Sequence, residues 1–542
     1  SHSESVNIQF EKSFSVESLE FKSNLEHTKT ENMDIVNFYP SNGASFVIPN
    51  DNHIEIPIPV CKNGFIDPRS VRLNLKWKPS LTTTSTAYNV VATQAGTHGI
   101  IDKLEVWNGA NLIEEVDHYN RTYAVLQKMF SNKAQQAGNG SCRDSAIAPL
   151  GNQVVSGIAG SGFVSLFAQN IPSVGNYLGS QAGINTDPQE ASISFELSDL
   201  LGASASKLLP CGLTNPWRIR IYLAKNVVNV FNIQDMDSDR TAPPQQASLT
   251  FTNGKVTITD VSVTAKQLTY DDETMNKMLE AVKKTDGVLH YNGTQLRPIS
   301  SPSNYQSEVQ VILGNSQWTN LKGIMCFPYY SVLNQNGDPY GCYANGCYQA
   351  RLLVDGVAHP LGQPVGNGDS QHPERSLSEF IMSLMNCNRT TCKIYSAKTQ
   401  FTRGKNPTYK ASPTGTELNY TWTMPCGTSN CNVYQWGVVP QDASPAVIGN
   451  DATNLYPNQA KSKKNFSKVP PFCGWGFRLT SSEHGKENVG INTEARQVVV
   501  GLRQSNTITS DPAGVELLSV QQVGVKYVLD LNRGSIEVKT NY

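Results

Sequence analysis

The amino-acid sequence predicts a mainly β protein, built as two β-sandwiches in tandem with a few short helices. Three observations predict this class. Apolar and polar residues alternate in many short runs, which is the period of a half-buried strand. The 542-residue chain carries 41 Gly and 29 Pro spread from end to end, as expected for many strands joined by loops. Each half also repeats one order of elements: strands, one helix, long loops and further strands.

Residues 100–130 organise the first half of the chain. They predict a strand, an Asn108-Gly109 turn, a second strand and a short helix. The turn is expected because an Asn-Gly pair adopts positive φ at little cost. The apolar residues of the helix recur at spacings of four, three and four and therefore form one stripe: Tyr119, Tyr123, Leu126 and Phe130.

Alternating runs predict the other strands of the first half, at residues 54–58, 71–77, 193–197, 217–223 and 256–268. Pro57 and Pro59 indicate that the earliest run is an edge strand or an irregular strand, because proline cannot donate a ladder hydrogen bond. Residues 131–187 are rich in Gly, Ser, Asn and Gln and predict long loops.

Changes in sequence character divide the chain into four parts. Residues 1–43 mix charge with scattered apolar residues and predict an arm that becomes ordered on a partner. Residues 44–270 form the first sandwich. Residues 271–287 predict a linking helix, with acidic residues in its first turn, Lys283 and Lys284 in its last turn and Gly287 after it, as the helix dipole favours. Residues 288–542 form the second sandwich.

The second sandwich is predicted from extended runs at both of its ends. These are residues 308–313, 321–327, 495–502, 515–520, 523–531 and 536–538. Residues 334–369 predict turn-rich loops, and residues 373–386 predict a helix that opens on Pro373.

Charge and motif content exclude several function classes. The chain has 44 Lys plus Arg against 45 Asp plus Glu, a formal charge of −1. A protein that binds nucleic acid through its phosphate groups usually has more basic than acidic residues. No sequence-specific nucleic-acid binding is therefore expected. No secretory signal or membrane-spanning run is predicted. The nine His show no metal-binding spacing, and no nucleophile or phosphate-loop motif occurs, so no catalytic residue, metal or cofactor is expected.

The cysteines are the one unusual signal. Eight of the eleven lie between Cys326 and Cys473, and three pairs share a C-x4-C spacing. This spacing leaves reduced thiols, disulfides and a metal site as alternatives. The possible disulfide pairs are Cys342–Cys347, Cys387–Cys392 and Cys426–Cys431.

Three segments in a fixed order carry a resemblance to a known family. They are KLEVWNGANLIEEVDHYNRTYAVLQKMF, then NPWRIRIYLA, then VTITDVSVTAKQLTYDDETMNKML. In this order the chain resembles, from about Ser45 to Tyr542, the major capsid proteins of the double jelly-roll viral lineage. That lineage includes nucleocytoplasmic large DNA viruses and adenovirus-type and tectivirus-type capsids. Within it the chain is most similar to the virophage and polinton-like group.

The resemblance implies an architecture and a function. Each half would be an eight-stranded antiparallel jelly roll standing perpendicular to a capsid surface. Three chains would form a pseudo-hexagonal capsomer, and capsomers would tile an icosahedral shell assembled inside the infected host cell. Neighbouring capsomers, penton proteins and minor capsid proteins would be the partners, whereas proximity to an internal membrane or to the genome stays open.

Two other function classes fit a tandem β-sandwich. A carbohydrate-binding or carbohydrate-active protein would need convergent carboxylates and aromatic platforms, but the seven Trp are dispersed and no acidic pair stands out. A viral spike would be expected to show a fibrous shaft or repeats, and none occur. The sequence therefore favours a shell protein.

Overall fold

A computed structural model describes most of both halves of the chain. The described residues are 30–83, 88–93, 95–130, 154–156, 163–165, 177–180, 183–184, 189–195, 197–201, 208–235, 251–284, 286–303, 308–313, 318–330, 340, 347–359, 364–366, 379, 383, 420–426, 429–435, 474–480, 490–504 and 515–540.

The first half contains fifteen described strands and one α-helix. The strands are β1 (Thr30–Phe38), β2 (Ser45–Ile48), β3 (His53–Ile58), β4 (Gly64–Thr83), β5 (Tyr88–Ala92), β6 (Ile101–Asn108), β7 (Asn111–Val116), β8 (Val154–Ser156), β9 (Phe163–Ser165), β10 (Tyr177–Ser180), β11 (Gly183–Ile184), β12 (Gln189–Ser194), β13 (Trp217–Leu223), β14 (Phe231–Asp235) and β15 (Phe251–Tyr270). Helix α1 (Tyr119–Phe130) follows β7.

The second half begins after a second helix, α2 (Asp272–Lys283), which connects the two sandwiches. Its described strands are β16 (Val288–Ser303), β17 (Glu308–Ile312), β18 (Leu321–Tyr330), β19 (Cys347–Val354), β20 (Val357–His359), β21 (Tyr420–Cys426), β22 (Ser429–Gln435), β23 (Trp475–Arg478), β24 (Val498–Gln504), β25 (Val515–Asp530) and β26 (Ser535–Lys539).

The two halves share one strand topology. In the first sandwich, β1–β15–β4–β12 forms one sheet, with β2 also pairing β15, and β3–β13–β6–β7 forms the opposing sheet. In the second, β16–β25–β18–β23 faces β17–β24–β19–β20. Each sandwich has eight core strands, counted from β2 in the first half and from β16 in the second. Taken in chain order, these strands are divided between the two sheets of their sandwich in the same way in both halves. The pairings are antiparallel. This is the predicted double jelly roll.

Period-two alternation explains why these strands face each other across a core. In β13, Trp217, Ile219, Ile221 and Leu223 are all buried while the residues between them are half-exposed. Strand β4 buries Val71, Leu73, Leu75 and Trp77 in the same way. The indole groups of the two tryptophans have partners, since Trp77 Nε1 donates to Thr97 Oγ1 and Trp217 Nε1 donates to Thr214 Oγ1, each at 3.0 Å. Apolar burial of this kind is the main stabilising contribution to each sandwich.

Helix α1 closes the first sandwich as predicted. Gly109 makes the turn between β6 and β7 with φ +56°. Tyr119 and Tyr123 are fully buried, and the Tyr123 ring stacks on His98 at a centroid distance of 3.4 Å. The Phe130 side chain lies outside the described side chains.

Helix α2 also begins and ends as its charges predict. Asp271 caps it by accepting a hydrogen bond from Thr274 N at 2.6 Å. Met275, Met278 and Val282 form its buried side, and the chain leaves the helix through Gly287, whose φ is +77°.

Several boundaries differ from the sequence-based expectations. Residues 30–38 of the predicted arm form β1, which pairs with β15 over eight register positions. Residues 1–29 lie outside the described residues. Part of the predicted loop 131–187 forms strands β8 to β11, and β10 pairs with β5.

The second half shows larger differences. Strand β16 was not predicted, and strands β19 and β20 lie where turn-rich loops were expected. The runs 515–520 and 523–531 form the single strand β25. Only residues 379 and 383 of the predicted helix 373–386 are described, both as helical. No helix in the described part of the chain is long and apolar enough to cross a membrane.

Candidate functional site: the junction between the two sandwiches

Two shallow clefts lie on the described surface. A cleft of about 290 Å³ lies on the outer face of the first sandwich, where Lys76 pairs with Glu190 at 3.3 Å and Asp260 at 3.0 Å. A cleft of about 170 Å³ on the second sandwich is lined by Arg351 and Arg503, among others. Among the described residues, no group of three His, Cys, Asp or Glu could hold a metal ion.

The predicted cysteine pairs lie largely outside the described residues. Cys342, Cys387 and Cys392 fall in undescribed ranges, and Cys347 is described only as the first residue of β19. Cys426 and Cys431 lie in the hairpin β21–β22, where Cys426 is opposite Ser429 and Cys431 is opposite Met424. The disulfide assignment therefore stays a prediction. Cys61 and Cys211, in the first sandwich, are thiols.

A set of polar contacts lies where the described parts of the two sandwiches meet. Strand β7 is the outermost strand of its sheet, and it lies beside β16 and β26 of the second sandwich. Asn111 Nδ2 donates to Ile536 O and Gln295 Nε2 donates to Ile113 O, both at 2.9 Å. Asn215 N also donates to Gly534 O at 2.6 Å. The second sandwich thus covers a sheet edge that would otherwise be open to pairing with another chain.

A buried carboxyl group lies at this junction. Glu114 is opposite Val106 in the β6–β7 register, on the face that points into the first sandwich, and is only 1% exposed. It accepts hydrogen bonds from Ser198 Oγ at 2.8 Å, Asp199 N at 2.6 Å and Leu200 N at 3.1 Å. Burial raises the pKa of Glu114, and the nearby Asp199 carboxylate raises it further, to about 7, against the lowering effect of these donors.

A chain of hydrogen bonds links this carboxyl group to the second sandwich. Arg297 Nη2 donates to Gln295 Oε1 at 2.5 Å, and Gln295 Nε2 donates to the Tyr527 hydroxyl at 2.8 Å. The Tyr527 hydroxyl then donates to Asp199 Oδ2 at 3.3 Å. Gln295 and Tyr527 are fully buried, so these polar groups are satisfied by one another instead of by water.

A ladder of alternating charges runs across the outer face of the first sandwich to the same junction. Arg220 pairs with Glu55 at 2.8 Å, Lys103 pairs with Glu105 at 2.8 Å and Glu115 at 2.7 Å, and Arg297 reaches Glu115 at 3.8 Å. Burial alone would lower the pKa of Lys103, but its hydrogen bonds to the two glutamates raise it overall. The ladder consists of Glu55, Arg220, Glu105, Lys103, Glu115 and Arg297.

Two further contacts join the sandwiches around α1. The guanidinium of Arg121, on α1, lies 3.8 Å from the ring centroid of Tyr329 on β18. Tyr340, from the segment between β18 and β19, is buried against Ala95 and Ala124, and its hydroxyl donates to Asn229 O at 2.6 Å. The junction is therefore built from interlocking residues of both halves.

The outer edge of the first sandwich carries a different kind of surface. Among the described residues, β1 pairs only with β15, so its other edge is open. Met33 and Ile35 point outward from it with exposures of 61% and 70%, and Tyr39 follows with 65%. These three are among seven large apolar residues that are exposed in the described part of the chain. Such clustering on an open edge is typical of a protein–protein contact.

Sequence reasoning missed the junction residues. Glu114 and Glu115 are adjacent in an ordinary alternating run, and only the register shows that one points inward. Gly293 marks a close backbone approach within a strand, but in the sequence the Asn292-Gly293 pair indicates a turn, so this signal could not be used. A Cβ at Gly293 would lie 2.3 Å from Asp199 Oδ2 and 2.6 Å from the Tyr527 ring.

Comparisons with solved structures match both sandwiches at once. A chain from the 3.5 Å cryo-EM structure of the Sputnik virophage aligns over 96% of this chain and 92% of its own, with TM-score 0.53 and 9% identity. The mavirus major capsid protein covers 96% and 94%, with TM-score 0.49 and 11% identity. The faustovirus major capsid protein covers 94% and 93%, with TM-score 0.43 and 10% identity.

The likeness to the Sputnik virophage chain shows a shared fold across both sandwiches, and it confirms the double jelly roll that the sequence resemblance implied. No protein-family model and no curated protein matches the sequence.

Proposed function

We propose that this chain is the major capsid protein of a DNA virus, and that three copies form a pseudo-hexagonal capsomer of its icosahedral shell. The observation that carries the proposal is the duplicated jelly roll, with the same strand order in both halves. Three chains with two such sandwiches each present six similar units around one axis, which is the geometry of a hexagonal tile. The fold shared with a chain of the Sputnik virophage supports this reading.

The role is structural rather than catalytic. The buried Gln295 and Tyr527 side chains of the second sandwich bond to Ile113 O and Asp199 Oδ2 of the first, and such contacts hold the pair of sandwiches as one unit. The open edge of β1, with Met33 and Ile35 exposed, supplies a surface for a neighbouring copy. Penton and minor capsid proteins are further partners of the shell, and the virion is the place of action.

Native mass and shape test the proposal directly. Light scattering of the purified full chain is expected to give about 178 kDa, three times the 59.3 kDa of one chain. Negative-stain electron microscopy of the same sample should show particles with a hexagonal outline. An obligate capsomer of this kind is expected to bury more than about 2,000 Å² between copies, so the trimer should persist on dilution.

A stable monomer with no tendency to assemble would contradict the proposal. It would favour the carbohydrate-binding alternative, and a glycan array would then be the next experiment.

A further inference from the structure

The internal junction between the sandwiches joins two different surfaces, and each of them has a counterpart in the other half of the chain. On the first sandwich the surface is β7, the outermost strand of its sheet. On the second sandwich it is formed by β16 and β26, which both pair with β25. Because the two halves share one strand topology, the register locates the counterpart of each surface.

Strand β20 of the second sandwich is the counterpart of β7. Each is the last strand of its sheet, in the orders β3–β13–β6–β7 and β17–β24–β19–β20. Each also follows the preceding strand after a two-residue turn, because Asn108 pairs with Asn111 and Val354 pairs with Val357. Within the described part of the chain β20 pairs only with β19, so no described strand pairs with its outer edge.

Strand β1 of the first sandwich is the counterpart of the first half of β16. Strand β1 pairs with residues 263–270 at the end of β15, and residues 288–295 pair with residues 523–530 at the end of β25. In β16, Gln295 is fully buried where it donates to Ile113 O of β7. Residues 32–35 of β1 are instead exposed. The surface that the first sandwich covers on β16 is therefore uncovered on β1.

Both uncovered surfaces carry exposed apolar side chains. Met33 and Ile35 of β1 are 61% and 70% exposed, and Val357 at the start of β20 is 50% exposed. Single exposed apolar residues are common on proteins. Here, however, three of the seven large ones in the described part of the chain lie on these two short strands. Apolar side chains on open sheet edges favour contact with another protein surface.

We propose that the β19–β20 hairpin of one copy docks against β1 of the next copy, and so repeats the internal junction between chains. This inference rests on the proposed capsomer and identifies the contact that holds it together. The two surfaces differ from each other, so the contact is head-to-tail, and such contacts close into a ring when the rotation between copies allows it. Three chains joined in this way alternate first and second sandwiches in six positions around one axis.

The chemistry of the two contacts differs as their roles require. Inside the chain the junction contains polar contacts, since Asn111, Gln295 and Arg297 each donate to a backbone carbonyl of the other sandwich. The surfaces on β1 and β20 offer apolar side chains instead. Permanent contacts between copies are more apolar than transient ones, so this composition suits a stable capsomer.

A charge exchange tests whether the two surfaces face each other. Met33→Glu and Val357→Lys each place one charge in the proposed apolar contact, where it has no partner. Each variant is expected to raise the concentration at which half of the trimer dissociates by about tenfold or more. The double variant places opposite charges across the contact and should recover much of this loss. Analytical ultracentrifugation of the full chain over a dilution series measures all three.

Ile312→Lys is the matched control. Ile312 is 52% exposed and lies on β17, at the opposite edge of the same sheet as β20, so its variant should dissociate like the wild type. Circular dichroism checks that each variant folds. Hydrogen exchange of the wild type provides a second measurement that needs no substitution. The amides of β1 and β20 should be protected in the trimer and lose protection as dilution dissociates it.

Three outcomes separate this contact from the capsomer itself. A wild-type trimer that neither single variant weakens, or whose β1 and β20 amides exchange alike before and after dissociation, would overturn the contact and leave the capsomer standing. Single variants that weaken the trimer without recovery in the double variant would show that the two surfaces do not face each other, which also overturns it. A monomeric wild-type chain would contradict the proposed function, and this contact with it.

Discussion

Gly293 is a residue of the second sandwich at which the two sandwiches approach closely. A Cβ there would lie 2.3 Å from Asp199 Oδ2 and 2.6 Å from a carbon of the Tyr527 ring, closer than real side chains come. We expect Gly293→Ala to destabilise the chain by about 1–3 kcal/mol, since the fully buried Tyr527 ring cannot withdraw without strain. Denaturant unfolding followed by tryptophan fluorescence measures the loss.

Gly501→Ala is the matched control for this substitution. Gly501 also lies inside a strand of the second sandwich, but a Cβ there first meets Arg351 O at 3.9 Å, an ordinary contact. Equal stabilities of the two variants would show that the junction yields easily at Gly293.

At the residue scale, the sequence predicts the core better than the junction. The inward residues of β4 and β13 follow from alternation alone, because one face of a sandwich strand must be buried. The junction pairs residues far apart in the chain, such as Gln295 with Ile113. No local pattern reports such a pairing, since each partner is an ordinary polar or apolar residue within its own strand.

Helix α1 is the element whose loss should affect the molecule most. The Tyr123 side chain is fully buried, with 0% exposure, and its ring stacks on His98. Tyr123→Asp would bury an unpaired charge. Substitutions of this kind are among the few whose loss of stability exceeds about 4 kcal/mol. We therefore expect it to abolish the soluble trimer, as measured by size-exclusion chromatography with light scattering.

Tyr123→Phe provides the control at the same position. It keeps the aromatic ring that stacks on His98 and should yield a soluble trimer. A trimeric, soluble Tyr123→Asp protein would mean that α1 does not close the sandwich.

Two strands, β16 and β25, show at the element scale why sequence patterns misled. Strand β16 contains Asn292-Gly293 and two prolines, which indicate turns, yet it pairs with β25 over sixteen register positions. Its position at the sheet edge tolerates the prolines. Strand β25 runs unbroken from Val515 to Asp530, because β16 pairs with it along its whole length.

The β19–β20 hairpin, by contrast, could have been predicted. Asp355-Gly356 follows an extended run, and both residues have positive φ, 49° and 77°. An Asp-Gly pair between apolar residues is a strong hairpin signal, which the surrounding Gly-rich and Asn-rich sequence obscured.

For the whole molecule, the order of elements was more informative than any single motif. The two halves place eight core strands in the same sheets in the same chain order. A fold can retain its topology while its residues change, because burial requires only an alternating pattern and a compatible volume. Agreement over 96% of the chain at 9% identity with a Sputnik virophage chain illustrates the same point.

Deletions in the N-terminal arm can test the assembly of the molecule separately from its folding. Because β1 begins at Thr30 and pairs with β15, a deletion of residues 1–29 keeps every described strand of the first sandwich. We expect this truncated chain to form capsomers with unchanged thermal stability, yet to fail in joining them into shells, because the missing segment tethers neighbours. Electron microscopy of assembly reactions, together with thermal unfolding, measures both properties. A deletion of residues 1–38 removes β1 as well and should lower the stability, since it strips one edge of β15. Shells formed normally by the shorter deletion would contradict a tethering role for the arm.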